Sequence, residues 1–264
     1  MMSCSEAATG AEMVRARVPI FMFHHVAPEG SSVPRSPLVV RSSKLRETAE
    51  WFLGRGYESI TVQRLAELLR AGDAASLRRK FALTFDDGAK SSFEHAYPVL
   101  SEIGCTATFY VLTSCIGGSS NWRNKRRSFE IMNAEEVLEL FGHGFEIGSH
   151  GCDHVDLTAL ASDEIEAQMA ESKATLSSMI GVEVSTFAYP YGLFDARAVK
   201  AARDAGYIAA CSILRGAGQD SEHIFAFKRI MVTEGTGSLR LRYFMSGLLD
   251  FEHRKGFEAA VLSR

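Results

Sequence analysis

The chain has 264 residues, 46% apolar and 23% charged, values ordinary for a globular protein that exclude disordered, collagen-like and coiled-coil classes. Its 29 Lys and Arg against 32 Asp and Glu leave a net charge of −3, which excludes a nucleic-acid-binding surface as the main role. No run reaches the ~18 apolar residues of a membrane span, and no apolar stretch of signal-peptide length opens the chain, so the location read from sequence is cytoplasmic.

Residues 1–17 are small and polar and read as a flexible leader. No repeat, low-complexity tract or linker divides the remainder, so 18–264 reads as a single domain. PIFMFH (19–24) predicts a buried strand. KLRETAEWFLGRGY places Leu45, Ala49, Phe52 and Leu53 at helical spacing and stops at Gly54 and Gly56. FALTF (81–85) is a strand, 93–103 a helix ended by Gly104, and TATFYVL (106–112) a β-branched and aromatic strand. Asn133 followed by Glu136 predicts a capping box at a helix start. FEIGSH (145–150) is a strand. Ser162–Ile180 is a helix with Ile165, Met169, Leu176 and Ile180 on one face. STFAYP (185–190), a helix near 196–205, YIAACSI (207–213) and FAFKRIMV (225–232) continue the alternation, and SLRLRYFMSGLLDFEH reads as a terminal helix.

About seven strand–helix units without a linker predict a mostly parallel sheet closed, or nearly closed, into a TIM-like (β/α) barrel. Chemistry in that architecture sits where strands end. The polar residues cluster there: His24 and His25 after PIFMF, Asp86 and Asp87 after FALTF, His150 after FEIGS, and Tyr191 after the strand at 185–189. Five cysteines (Cys4, Cys105, Cys115, Cys152 and Cys211), odd in number and without a CxxC, read as free thiols in a reducing compartment.

TFDDG (84–88) puts two carboxylates at a strand-to-loop corner, although a lone DDG also suits a turn or helix cap. SHGCDH (149–154) supplies two imidazoles separated by three residues, a common metal-ligand spacing. Cys152 would make a closed, structural-type site. Asp87 would complete a two-His, one-carboxylate site with open positions, and ranks ahead. AYPYG (188–192) is a turn whose backbone N–H could meet an oxyanion.

TFDDG, then SHGCDH, then the PYG turn, with HHV, GHGFEIGSH, FAYPYGLFDARAVKAARDAGY and KRIMV, resemble the polysaccharide deacetylases, the NodB-homology domain of metal-dependent carbohydrate esterases, over roughly residues 18–235. The resemblance implies an irregular, seven-stranded (β/α) barrel that hydrolyses an N-acetyl or O-acetyl group on a sugar. It implies one divalent metal, Zn²⁺ first, on Asp87, His150 and His154, with Asp86 as catalytic base. Tyr191 and Pro190 would form the oxyanion turn.

Three departures stand out. The Arg expected two residues before the Pro of the turn is Ala188, and Arg229 is the candidate to restore its charge, an ordinary ion pair being the alternative. The polar residue that commonly follows the first metal His is Gly151. A late leucine-x-histidine segment is missing; His223 does not match it and reads as a loop residue. His24, at the end of the first strand, is the candidate general acid, or orients the leaving group, a structural histidine hydrogen-bonded at the strand end being the alternative.

RNKRR (123–127) is a basic cluster that could grip a phosphate or acidic glycan, and Trp122 could stack on a sugar ring. The function read is metal-dependent N-deacetylation of an amino sugar in a glycan or precursor, releasing acetate. The substrate could be lipid-linked and met at the inner membrane face. The alternatives are an O-acetyl esterase and an inactive glycan-binding barrel. A glycosidase would need two carboxylates about 5–10 Å apart across a bond, a poor fit to adjacent Asp86 and Asp87.

Overall fold

The computed structural model describes residues 13–32, 36–120, 122 and 128–248. Residues 1–12 of the leader, with Cys4, the RNKRR cluster and the chain beyond 248 lie outside them. In chain order the elements are β1 (Arg15–Arg17), β2 (Ile20–Phe23), β3 (His25–Ala27), β4 (Val39–Arg41), α1 (Ser42–Leu53), β5 (Glu58–Ser59) and α2 (Val62–Arg70). Next come β6 (Lys80–Phe85), α3 (Lys90–His95), α4 (Tyr97–Glu102), β7 (Thr108–Val111), α5 (Ala134–Gly142), β8 (Glu146–Ser149) and α6 (Ser162–Ile180). The last are β9 (Thr186–Ala188), α7 (Ala196–Asp204), β10 (Ala209–Cys211), β11 (Gly218–Asp220), β12 (Ile230–Met231) and α8 (Ser238–Met245).

Seven strands follow one another in a single sheet, β10-β9-β8-β7-β6-β2-β12, all neighbours parallel, with β5 added at the start of β6. β2, β7 and β8 are buried at every position, as expected of strands covered on both faces. The sheet curls until its ends approach: Phe227 N–H donates to Ala210 O (2.9 Å), and Ser212 N–H donates to Phe227 O (3.0 Å). This is the irregular (β/α) barrel the sequence predicts.

Side-chain alternation divides its two faces. Outward, Phe21 and Phe81 pack on Phe52 of α1 (ring centroids 5.0 and 5.1 Å), and Phe23, Phe85 and Phe109 stack in a row at 5.3 and 4.7 Å. Inward, contacts cross between strands that are not neighbours. Tyr110 Oη lies 3.3 Å from Cys211 Sγ, and Arg229 reaches Asp86. At the lower end Glu146 is buried, accepting from Gln63 N–H (2.9 Å), Thr108 Oγ1 (2.7 Å) and Thr186 Oγ1.

The capping box at α5 forms: Glu136 N–H donates to Asn133 Oδ1 (2.9 Å) and Asn133 N–H to Glu136 Oε2 (2.8 Å). Three local expectations change. The helix predicted over 93–103 is two helices, α3 and α4, because Pro98 lacks an N–H and its ring would clash with the carbonyl four residues back. Arg15–Arg17, read as leader, is a strand antiparallel to β11. The short amphipathic helix α2, capped by Thr61, follows β5 unannounced. Cys105, Cys152 and Cys211 are free thiols.

Candidate active site

The C-terminal ends of β2, β6, β8 and β9 and the chain entering β12 bring the polar residues together. Asp86 keeps the inward pleat of Ala82 and Thr84. Asp87 leaves it, because its backbone is left-handed (φ 71°). The two carboxylates therefore part company within one peptide unit and take different partners. Tyr191 is also left-handed (φ 57°). Such backbone is uncommon outside glycine and costs about 1–3 kcal/mol, a cost that recurs at functional sites.

Asp86 meets Arg229 in a bidentate pair, Nη1 to Oδ1 at 2.7 Å and Nη2 to Oδ2 at 2.8 Å. Arg229 is 1% exposed and also donates from Nε to Ser212 O (2.8 Å) and from Nη1 to Thr84 Oγ1 (3.3 Å). Burial pushes the Asp86 pKa up, but Arg229, His150 and His24 together outweigh it and hold the carboxylate below its ordinary value. Burial likewise opposes the charge on Arg229, and Asp86 more than restores it.

Asp87, His150 and His154 converge in a buried cluster, Asp87 Oδ1 lying 3.5 Å from His150 Nε2 and 3.3 Å from His154 Nε2. His150 Nδ1 is committed to Ala188 O (2.7 Å), which leaves its Nε2 lone pair facing the cluster. Asp87 Oδ1 is buried without a hydrogen-bond partner among the described residues. A buried, unsatisfied carboxylate oxygen beside two imidazole nitrogens is a donor set that fits a divalent ion of the zinc type. Cys152 is not part of it: its Sγ lies 3.7 Å from Gln168 O.

Trp122 stacks on His154 (4.7 Å, 17°), and Tyr191 meets the same ring edge-on (4.3 Å). Phe129 continues the aromatic path, 5.7 Å from Trp122 and 4.1 Å from His25. Beyond it lies a cavity of about 320 Å³, lined in part by Phe129, Val39, Lys90 and Glu94. Pro190 is buried at the turn carrying Tyr191. His24 follows β2 within electrostatic reach of Asp86, Asp87 and His150; burial lowers its pKa more than the carboxylates raise it. His223 lies apart, its Nδ1 2.7 Å from Asp220 Oδ1.

Two contacts at the site carry no signal in the motifs. Gln168 of α6 accepts from Cys152 N–H (2.9 Å) and Asp153 N–H (3.0 Å). Ser114, after β7, donates from Oγ to Asp153 Oδ1 (2.7 Å). Both lie far in sequence from the loop they grip.

The sequence pattern of the polysaccharide deacetylases matches residues 74–210, which span Asp86, Asp87, His150, His154 and the PYG turn. The Bacillus subtilis (strain 168) protein named "Putative polysaccharide deacetylase YxkH" is 27% identical over 220 residues, 83% of this chain and 73% of that one. A poly-beta-1,6-N-acetyl-D-glucosamine N-deacetylase of Staphylococcus aureus is 22% identical over 74% of this chain and 68% of its own. In fold, the chain matches the Streptococcus pyogenes deacetylase PplD, solved in complex with acetate, at a TM-score of 0.75 and 19% identity, covering 88% of this chain and 99% of that one. No helix among the described residues is long and apolar enough to cross a membrane. The family pattern covers more than half of the chain, and the chain belongs to the polysaccharide deacetylase family.

Proposed function

We propose that the protein is a metal-dependent N-deacetylase that hydrolyses the acetamide of an amino sugar in a glycan and releases acetate. The observation that carries this reading is the buried Asp87–His150–His154 cluster beside the separately paired Asp86. One carboxylate is directed at an ion and the other at a proton. When bound, a divalent ion supplies Lewis-acid polarisation of the acetyl carbonyl and acidifies the attacking water.

Asp86, ionised and held by Arg229, takes the proton as water attacks. Arg229 fixes the carboxylate's orientation and, by lowering its pKa, keeps it deprotonated at neutral pH. The Tyr191 N–H, turned by its left-handed backbone and backed by Pro190, donates to the oxyanion. His24 protonates or orients the leaving amine. The burial that lowers its pKa favours the neutral ring, and with it the orienting role.

Trp122, already stacked on His154, forms the aromatic wall of the sugar site. A chain substrate runs along Phe129 toward the cavity at Val39 and Lys90, which supplies apolar and polar surfaces together, as sugars require. The substrate of the Staphylococcus aureus relative, poly-beta-1,6-N-acetyl-D-glucosamine, is of this class. O-Acetyl esters remain a second class of substrate for the same residues, since an alkoxide leaves with less help than an amine.

His150→Ala tests the reading. The variant should fold, lose stoichiometric metal and lose acetate release from N-acetylglucosamine oligomers. Stoichiometric metal retained in this variant would contradict it.

A further inference from the structure

Two of the three clustered ligands ride on the loop between β8 and α6, and they are held unequally. His150 is anchored through Nδ1 to Ala188 O. The His154 Nδ1 is buried without a hydrogen-bond partner among the described residues. The place of His154 Nε2 therefore depends on ring packing against Trp122 and Tyr191 and on the backbone at 151–153. That backbone has no side chain of its own at residue 151 to tie it down, because Gly151 is a left-handed glycine (φ 88°).

Gln168 supplies the tie from α6. Its Oε1 accepts from both Cys152 N–H (2.9 Å) and Asp153 N–H (3.0 Å), and its Nε2 donates to Asp153 Oδ2 (3.2 Å). From the opposite side Ser114 Oγ donates to Asp153 Oδ1 (2.7 Å), and Ser114 N–H donates to Cys152 O (3.1 Å). Residues 152 and 153 are thus clamped between α6 and the end of β7. Gly151 and Gln168 belong together: a Cβ at 151 would sit 3.3 Å from Gln168 Oε1, on a backbone that side chains rarely adopt.

We propose that Gln168 is a positioning residue for metal binding, fixing the 151–153 backbone so that His154 Nε2 meets His150 Nε2 and Asp87 Oδ1. This role rests on the metal-dependent reading of the site. Gln168 touches none of the three ligands. It acts through the loop, and loss of such an outer hydrogen bond typically weakens a site about 10–100-fold.

Zinc affinity by competition with a chromophoric chelator tests it, together with the visible spectrum of the Co²⁺-loaded protein and thermal unfolding of the metal-free chain. Gln168→Met keeps the volume and removes the acceptor. Zinc affinity should fall about 10–100-fold and the Co²⁺ spectrum should change, while metal-free unfolding stays close to wild type. Gln168→Glu sets a carboxylate against Asp153 and should also weaken binding. Adding Asp153→Asn reverses the donor and acceptor across that contact, and Asn still accepts from Ser114. The double variant should regain most of the wild-type affinity.

Wild-type affinity and spectrum in Gln168→Met would overturn the proposal. So would a double variant as weak as Gln168→Glu, or a fall in affinity matched by an equal loss of metal-free stability. If the wild-type chain itself takes up no ion, the metal reading fails first and this inference fails with it.

Discussion

Arg229→Met removes the guanidinium that holds Asp86 and leaves a shorter, uncharged side chain. Asp86 is 3% exposed and Arg229 1%, and the variant loses two charge-assisted bonds of 2.7 and 2.8 Å to a buried carboxylate. Stranding one member of a buried pair typically costs about 3–5 kcal/mol. For a chain of this size that lowers the thermal midpoint by roughly 6–20 °C. The pH dependence has a defined sign. In the wild type the folded Asp86 pKa lies below its unfolded value, so the pair's contribution is complete above the ordinary carboxylate value of 3.8 and is lost as pH falls through the lower folded one. Without Arg229, burial acts unopposed by its largest counterweight, the Asp86 pKa rises, and the variant's deficit should shrink in acid. Asp86→Asn in the Arg229→Met background removes the stranded charge and should recover much of the loss, a coupling that a double-mutant cycle reads directly. Thermal and urea unfolding of metal-free protein from pH 3 to pH 8 measure all of this. A deficit below about 1 kcal/mol, the range of an exposed pair, or a double variant no more stable than Arg229→Met, would refute the reasoning.

The two aspartates should separate by assay. Asp86→Asn is expected to keep its metal and lose about 10²–10⁴ in rate, whereas Asp87→Asn should lose metal affinity; identical metal titrations for the two variants would remove the division of labour. His24→Ala should slow hydrolysis of an N-acetyl sugar far more than that of an activated aryl acetate, whose leaving group needs no proton, and equal losses on both would reject the assignment. Glu146 tests the barrel's lower end. Burial raises its pKa above 4.5 despite the N–H of Gln63 and the hydroxyls of Thr186 and Thr108. The folded chain then holds that proton more tightly than the unfolded chain, so stability falls as pH rises from about 4.5 through the higher folded value. Glu146→Gln removes that slope, and its stability relative to wild type should rise from pH 4 to pH 7; a pH-independent difference would contradict the burial argument.

Much of this arrangement is legible in the sequence, for physical reasons. Asp87, His150 and His154 stand in short motifs whose spacing survives without knowledge of the fold, and each follows an apolar run that becomes a barrel strand. Arg229 can be found because Ala188 stands where a charge is expected and FAFKRIMV is the next strand able to offer one. The structure places the two Arg229 nitrogens on Asp86. Strands of two or three residues are less readable: Arg15–Arg17 is too short for alternation to show, and its partner Gly218–Asp220 is polar. The split between α3 and α4 rests on Pro98 inside an otherwise periodic run. Gln168 is invisible for a different reason. Its partners are backbone N–H groups fifteen or so residues away, and no residue pattern records which amide a glutamine will meet.

In the proposed reaction this chain removes N-acetyl groups with an ion held by Asp87, His150 and His154. Acetate release from N-acetylglucosamine oligomers, by chelator-stripped protein titrated with zinc, tests it most directly. The expected result is no release from stripped protein and recovery that saturates at one ion per chain, with an O-acetylated glycan run alongside to rank the two substrate classes. Full activity after stripping, or metal-restored protein that binds the oligomers and releases no acetate from either substrate, would contradict it.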